Sequence, residues 1–220
     1  MRKLYKLYSR IWLQPRVRKR MQQSAMYTHG DIRLFIPPGV FHPGYFHSTQ
    51  FLLDFTLRHP LTGKHILELG AGSGLISIAT AKKGAVVTAS DINQQALQAL
   101  QQNAEHNQVK LQIVYSDLFG SLEGMHFDYI LINPPFYPQD ARNDLERAWY
   151  AGLDFQYFQR LFAGIHPFLP ENTEAWMILS EDTSTVHIED IAHAAGLHME
   201  VIEKKRILWE WNYIYKLTKA

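Results

Sequence analysis

From residue 65 onward, short apolar runs alternate with longer stretches in which apolar residues recur every three or four positions. Short apolar runs bounded by turn residues predict strands, and the longer period predicts helices. Strands that alternate with helices form a mostly parallel sheet with helices on both faces, so we predict an α/β fold. The predicted strands are 65–69, 86–89, 110–114, 127–132, 175–179, 199–202 and 211–217, and the predicted helices are 75–82, 94–106, 155–168 and 188–195.

Two further elements are predicted before this alternation begins. Residues 26–36 contain glycine flanked by polar residues between two apolar segments, which predicts a hairpin. After a loop rich in proline and glycine, Ser48 or Thr49 is predicted to cap a helix. We therefore assign residues 1–40 to an extension made of a basic helix and a hairpin, and residues 41–220 to the main domain.

The basic helix of this extension is predicted from apolar positions in residues 4–12, which fall on one helical face until Pro15 ends the pattern. Residues 1–20 contain eight basic and no acidic side chains, whereas the whole chain has a formal charge of only +1, so the remainder is acidic. The basic segment could pack on its own acidic domain, bind RNA or a ribonucleoprotein, or contact a membrane surface.

The predicted strand 127–132 ends abruptly at residues 133–136, Asn-Pro-Pro-Phe. Proline cannot continue a strand, so the strand tip is expected to open into a crevice. There the Asn133 amide, main-chain carbonyl groups and the Phe136 ring could together hold a flat amino group. In isolation the same residues would form an ordinary turn.

Small and acidic residues follow the earlier strands. Residues 70–74 form a Gly-x-Gly-x-Gly loop that lacks the third glycine of a dinucleotide fingerprint, which disfavours a bound pyrophosphate. Asp91 ends the next strand, where it could accept hydrogen bonds from both hydroxyls of a ribose. Asp117 ends the third strand and could accept from an adenine amine while Leu118 packs on the ring. Taken singly, both acids could equally be helix caps or loop residues.

Composition narrows the chemistry. The 220 residues include no cysteine, which excludes a thiol nucleophile, a disulfide scaffold and the usual ligands of structural zinc. The 11 histidines are dispersed, so we predict no metal site. No apolar run approaches the roughly 20 residues that span a bilayer, and the first residues lack a signal-peptide core, so we expect a cytoplasmic protein without a membrane span.

Taken together, these residues closely resemble the class I S-adenosylmethionine-dependent methyltransferases. The resemblance rests on residues 68–74, Asp91, residues 116–118 and residues 133–136, and it covers roughly residues 40–217. It implies a Rossmann-like sheet of seven mostly parallel strands. The Asn-Pro-Pro-aromatic motif narrows it to the amino-methylating branch, which includes protein-(glutamine-N5) methyltransferases and nucleic-acid adenine-N6 or guanine-N2 methyltransferases.

The resemblance also implies the roles of individual residues. S-adenosylmethionine would be the methyl donor and S-adenosylhomocysteine the product, with no metal involved. The implied catalytic residues are Asn133, Pro134 and Phe136. The implied cofactor-binding residues are Glu68, Gly70, Ala71, Gly72, Gly74, Asp91, Ile92, Asp117, Leu118 and Asn133.

The implied acceptor is a macromolecule, with a protein glutamine side-chain amide as the first interpretation. The loop at residues 40–43 with Ser48 and Thr49, and residues 150–154, look most like the glutamine-methylating branch. The glutamine-methylating enzymes usually have tyrosine at the position of Phe136, whereas phenylalanine is commoner at this position in the guanine-N2 enzymes. The alternative is therefore the exocyclic amine of guanine or adenine in RNA or DNA.

Two remoter hypotheses belong to other classes. A nicotinamide-dependent oxidoreductase is disfavoured by the glycine spacing. A non-catalytic binding module would keep the fold and use the basic segment. Trp209 and Trp211 near the C-terminal end are predicted to lie in the core and at the sheet edge rather than to form a stacking platform for bases.

Overall fold

The computed structural model describes the chain apart from residues 1–19, 143–145 and 147–148, so the predicted basic helix over residues 4–12 lies outside the described residues. The described part forms a two-stranded hairpin and a seven-stranded sheet. The hairpin strands are β1 (Ala25–His29) and β2 (Ile32–Ile36), and the sheet strands are β3 (His65–Leu69), β4 (Val86–Asp91), β5 (Gln112–Tyr115), β6 (Tyr129–Ile132), β7 (Glu174–Ser180), β8 (Leu197–Ile207) and β9 (Glu210–Lys219).

The sheet confirms the predicted α/β architecture. Its strand order is β5-β4-β3-β6-β7-β9-β8. Neighbours from β5 to β7 pair in parallel, and β9 runs antiparallel to both β7 and β8. The carboxyl ends of the parallel strands therefore meet at one edge, where open α/β sheets bind ligands.

The helices agree closely with the predicted ones, with two corrections. The predicted helix 155–168 is divided, because the α-helix ends at Ile165 and Pro167 lies in a separate 3-10 turn over His166–Phe168. The prediction that Ser48 or Thr49 caps the first helix is wrong, because Phe46 is the N-cap and Thr49 is buried inside the first turn. The helices are α1 (His47–Thr56), α2 (Leu75–Lys82), α3 (Gln94–His106), α4 (Gln156–Ile165) and α5 (Thr185–Ala194).

Two buried clusters cover the two faces of the sheet. On one face α4 and α5 pack against alternate residues of β3, β6 and β7. On the other face α1 and α2 pack around Trp176, which is fully buried and stacks on Tyr129 with ring centroids 4.7 Å apart. Because every central strand is covered on both sides, the sheet edge is left to form the ligand site.

The β1–β2 hairpin is fastened to the second face of the domain. Its inward side chains, Ile32, Leu34 and Ile36, belong to the cluster of α1 and α2. The side chains of Asn103 in α3 and of Asn107, its C-cap, bond to main-chain groups of β2 at 2.7–3.1 Å. The hairpin thus shares the core of the sheet, while the boundary at residue 40 stays a prediction.

The last two strands are longer than predicted. β8 and β9 form a long antiparallel hairpin whose turn contains Leu208 and Trp209. Trp211 is half-buried in β9, which lies between β7 and the edge strand β8, and Trp209 is 42% exposed and lies outside the core, so the predicted placement of these tryptophans in the core and at the sheet edge is wrong.

Gly74 occupies a position that no other residue fits without strain. It is the N-cap of α2 with φ of +85°, in the left-handed region that favours glycine. A Cβ atom at Gly74 would lie 2.1 Å from Cδ1 of the fully buried Leu100 of α3. The glycine therefore allows the α2 N-terminus to approach α3 closely.

Replacing Gly74 by alanine should destabilise the fold by about 2–4 kcal/mol, because it adds a steric clash to the cost of about 1–2 kcal/mol for a left-handed non-glycine residue. Urea unfolding followed by circular dichroism measures the effect. Gly63→Ala is the matched control, since Gly63 also has positive φ but open space around its Cα. Equal losses in the two variants would show that contact with Leu100 does not constrain Gly74.

Candidate active site at the carboxyl edge of the sheet

A cavity of about 480 Å³ opens at the carboxyl ends of β3, β4 and β6. This volume is in the range of small-molecule sites. Of the predicted site residues, Gly74 alone lies outside the cavity lining, behind the loop and against Leu100. Those that line the cavity are Glu68, Gly70, Ala71, Gly72, Asp91, Ile92, Asp117, Leu118, Asn133, Pro134 and Phe136.

The glycine loop is tied to the end of β4 by its own main chain. The N–H groups of Gly70 and Ala71 both donate to the Ser90 carbonyl at 2.9 Å. The N–H of Gly72 donates to Oδ2 of Asp91 at 2.8 Å. These donors are already used, so the loop does not offer the row of free N–H groups that cradles a phosphate.

Glu68 holds the first turn of α2 from below. It is 7% exposed and accepts hydrogen bonds from the Ser77 main-chain N–H at 2.7 Å and from the Ser77 hydroxyl. Burial raises the pKa of Glu68 to about 7, against the lowering effect of these bonds. The carboxylate interacts with the positive end of the helix dipole, where an anionic ligand would otherwise bind.

Asp91 contributes a second carboxylate at the same end of the cavity. Its Oδ1 accepts from the Asn93 N–H at 2.8 Å, while Oδ2 accepts from Gly72. Burial raises the pKa of Asp91, and these hydrogen bonds oppose the shift. Each carboxylate oxygen has a second lone pair, so both can still accept from a ligand.

Asp117 and Leu118 lie at the end of β5, in a turn that Ser116 stabilises. The Ser116 hydroxyl donates to the Leu118 carbonyl at 2.7 Å and accepts from the Ser121 N–H. Asp117 pairs through Oδ2 with the Arg160 guanidinium of α4 at 2.6 Å. Among the described residues of the cavity lining, Arg160 is the one lysine or arginine, and its positive charge is neutralised by the pair with Asp117.

Asn133 begins the opposite side of the cavity, directly after β6. Its Nδ2 donates to the hydroxyl of Thr49 at 3.0 Å. Thr49 is buried in the first turn of α1, so α1 fixes the orientation of the amide. With Nδ2 engaged, Oδ1 remains as the acceptor of the carboxamide.

An aromatic wall, formed by Phe41, Phe46 and Trp149, lines the cavity on the Asn133 side. The rings of Phe41 and Phe46 stack at 4.6 Å, and Trp149 meets Phe46 edge-on at 4.7 Å. The Trp149 carbonyl accepts from the N–H of Phe136 at 3.2 Å, which holds the strand-end loop against the wall. In the sequence, the signal for this wall is the pair Phe41 and Phe46 in a loop that is otherwise rich in proline and glycine.

Two features are absent from the described residues, a metal-binding cluster and a membrane-spanning helix. Across the part of the chain that the structure covers, there is no group of three His, Cys, Asp or Glu side chains that could hold a metal ion. In that same part, no helix is long and apolar enough to cross a membrane.

Comparison with known proteins identifies the family of this chain. The profile of the family described as "Methyltransferase small domain" matches residues 31–193. The chain is 41% identical over 128 residues to the "Putative protein N5-glutamine methyltransferase" of Methanocaldococcus jannaschii, covering 56% of this chain and 62% of that protein. It is 36% identical over 110 residues to ribosomal RNA small subunit methyltransferase C of Pasteurella multocida, covering 49% of this chain and 33% of that protein.

The alignment with each of these relatives spans less than two thirds of the relative's length. Among solved structures, a chain of the E. cuniculi Mtq2–Trm112 complex matches with a TM-score of 0.62 at 22% identity, over 83% of this chain and 99% of that one. This likeness shows a shared fold. Because the family profile covers most of the chain, including the glycine loop and Asn133, this protein belongs to the methyltransferase small domain family.

Proposed function

We propose that this protein transfers a methyl group from S-adenosylmethionine to a planar nitrogen held at Asn133, and that the nitrogen is the side-chain amide of a protein glutamine. The observation that supports the proposal best is the pairing of two features in one cavity. One end carries the buried Glu68 carboxyl and the half-buried Asp91 carboxylate beside a glycine loop, and the other carries an amide oriented by Thr49.

The glycine-loop end suits this donor better than it suits a dinucleotide. Asp91 and the ionised fraction of Glu68 place negative charge where a sulfonium and an amino group would bind, and the loop N–H groups that a pyrophosphate needs are bonded to β4. Asp91 would accept from the ribose hydroxyls. Leu118 would pack against the adenine ring, and Asp117 would accept from its amine. When bound, S-adenosylmethionine supplies an electrophilic methyl group and leaves as S-adenosylhomocysteine.

The Asn133 end addresses the weakness of an amide as a nucleophile, whose lone pair is delocalised into its carbonyl group. Oδ1 of Asn133 and the main-chain carbonyl of Pro134 would accept the two N–H groups of the substrate and favour a pyramidal nitrogen. These bonds strengthen as the nitrogen gains positive charge in the transition state, which is what accelerates the step. Once alkylated, the nitrogen is acidic, so its proton passes to water without a strong base.

The choice of acceptor rests on the relatives. Glutamine comes first because the relative with 41% identity carries that activity in its name. A nucleic-acid base is the second candidate, since the relative with 36% identity is named for ribosomal RNA. The aromatic wall of Phe41, Phe46 and Trp149 also offers ring faces on which a base could stack.

Isothermal titration calorimetry should detect binding of S-adenosylhomocysteine and none of NAD. Asp91→Ala should weaken the binding by about 5- to 150-fold, because hydrogen bonds to a charged acceptor contribute about 1–3 kcal/mol. Asp190→Ala, which removes an exposed acid on α5, is the control and should bind as the wild type does. Binding of NAD alone would contradict the proposed cofactor.

Methyl transfer can be followed with tritiated S-adenosylmethionine and an extract of cells that lack this protein. The label should be released by protease rather than by ribonuclease, and mass spectrometry should find N5-methylglutamine. Asn133→Ala should slow labelling by about 100-fold or more, as loss of a transition-state hydrogen bond does, while affinity for S-adenosylhomocysteine stays nearly unchanged.

Asn172→Ala, which removes an exposed amide, is the control for Asn133→Ala. Label in ribonuclease-sensitive material would replace glutamine by a base as the acceptor. Cofactor binding without any labelling would favour a non-catalytic module.

Thr49→Val should slow transfer by about five- to tenfold, since it removes a hydrogen bond worth about 1 kcal/mol and releases the Asn133 amide. The effect should fall on kcat rather than on cofactor affinity. Thr49→Ser keeps the hydroxyl and should restore most of the rate. If the serine variant were as slow as the valine variant, the hydroxyl would not be what positions Asn133.

A further inference from the structure

The β8–β9 hairpin extends past the rest of the sheet. The last pair between β7 and β9 is Ser180 with Asn212, whereas β8 and β9 remain paired as far as Ile207 with Glu210. At about 3.4 Å per residue, the hairpin tip projects by about 7 Å. Because β9 is antiparallel to β7, this tip lies at the carboxyl edge of the sheet, which is also the edge that carries Asn133.

One face of the tip alternates cations with aromatic rings, and we call it the hairpin strip (Lys204, Arg206, Trp209 and Trp211). The Arg206 guanidinium lies 5.7 Å from the centroid of Trp209, and Nζ of Lys204 lies 5.8 Å from that of Trp211. Lys204, Arg206 and Trp209 are exposed. Trp211 is half-buried, so the strip presents the Trp209 ring and the two positive groups to solvent, with part of the Trp211 ring beside them.

The other face of the tip is directed at α1 and is largely neutralised. Glu203 forms an ion pair with Arg58, two residues after the end of α1. Nζ of Lys205 in turn lies 4.0 Å from Asp54 of α1 and 5.7 Å from the centroid of the Phe51 ring. Glu203 and Lys205 therefore pair on the α1 side, and the two cations of the hairpin strip project on the opposite side.

We infer that the hairpin strip binds single-stranded RNA, with phosphates at Lys204 and Arg206 and bases stacked on the tryptophan rings. A nucleic-acid strand alternates anionic and aromatic groups as the strip alternates cations and rings. The apex carries the exposed apolar residues Leu208 and Trp209, so a membrane surface is the competing occupant, and the vesicle experiment below distinguishes the two.

The placement of the strip makes this binding relevant to the cavity. β8 is three strands from β6, so the strip lies about 14 Å to the side of Asn133 along the same edge. A strand of RNA bound there would lie within a few nucleotides' length of the cavity. The inference goes beyond the proposed function and does not rest on it, because bound RNA could deliver either a base or a glutamine of a ribonucleoprotein.

Fluorescence anisotropy of labelled single-stranded RNA, about 12 nucleotides long to span one site, tests the inference on the full-length protein. Lys204→Ala with Arg206→Ala should weaken binding by about tenfold and reduce the salt slope by about 1.4, or 0.7 for each lost phosphate contact. Trp209→Ala should weaken binding by about five- to tenfold by removing a stacking face, and Trp209→Phe should restore it.

Lys83→Ala with Lys110→Ala is the matched control, since it removes two exposed cations away from this edge and leaves the basic N-terminal segment in place. Equal RNA affinity in the strip and control variants would overturn the inference. Strip-dependent binding to vesicles of phosphatidylglycerol, without strip-dependent binding to RNA, would also overturn it in favour of a membrane.

Thermal unfolding by circular dichroism separates loss of the fold from loss of the surface. Asn133→Ala should bind RNA with full affinity, so failure of the RNA assay and failure of methyl transfer are separate results.

Discussion

The attachment of the glycine loop to the end of β4 is the constraint on which the site depends. Three successive N–H groups, from Gly70 to Gly72, turn inward to the Ser90 carbonyl and the Asp91 carboxylate. This requires positive φ at Gly70 and Gly72, and it holds Asp91 at the cavity. It also leaves carboxylates rather than N–H donors as the dominant charge there, so the loop that superficially resembles a phosphate cradle favours a cationic ligand.

The acceptor end is built by different means. β6 stops because Pro134 cannot continue the ladder, which leaves Asn133 at a strand end with its direction undetermined by the strand itself. The direction comes from α1, through the hydroxyl of Thr49. The two ends of the cavity are thus set by separate pairs of elements, β4 with the glycine loop and β6 with α1. A change at the glycine-loop end is therefore expected to alter cofactor affinity without altering the transfer rate. A change at the Asn133 end is expected to alter the transfer rate without altering cofactor affinity.

Features of the fold and the site that depend on residues close in sequence could be predicted, whereas features that depend on contacts between distant residues could not. The helix over 94–106 agrees with its prediction, because the apolar period that predicts it is a local signal, and the structure adds Asn93 as its N-cap. Thr49 was misassigned as a cap because its partner, Asn133, is 84 positions away and no local pattern reports it. The exposure of Trp209 depends on how far β8 and β9 extend past β7, which only the strand pairing determines.

The position of α1 connects the hairpin strip with the proposed acceptor site. The same helix carries Thr49 at its first turn and Phe51, whose ring lies under Lys205, and Arg58, just past the end of the helix, pairs with Glu203. The β8–β9 hairpin and the helix that orients the Asn133 amide are therefore neighbours. The Phe51 ring is buried, whereas the ion pairs of Glu203 and Lys205 are largely exposed, so these charged contacts contribute little to stability. A macromolecule held by the hairpin would thus lie beside the helix that sets the nitrogen-binding end of the cavity, whereas Asp91 and the glycine loop are held by β4.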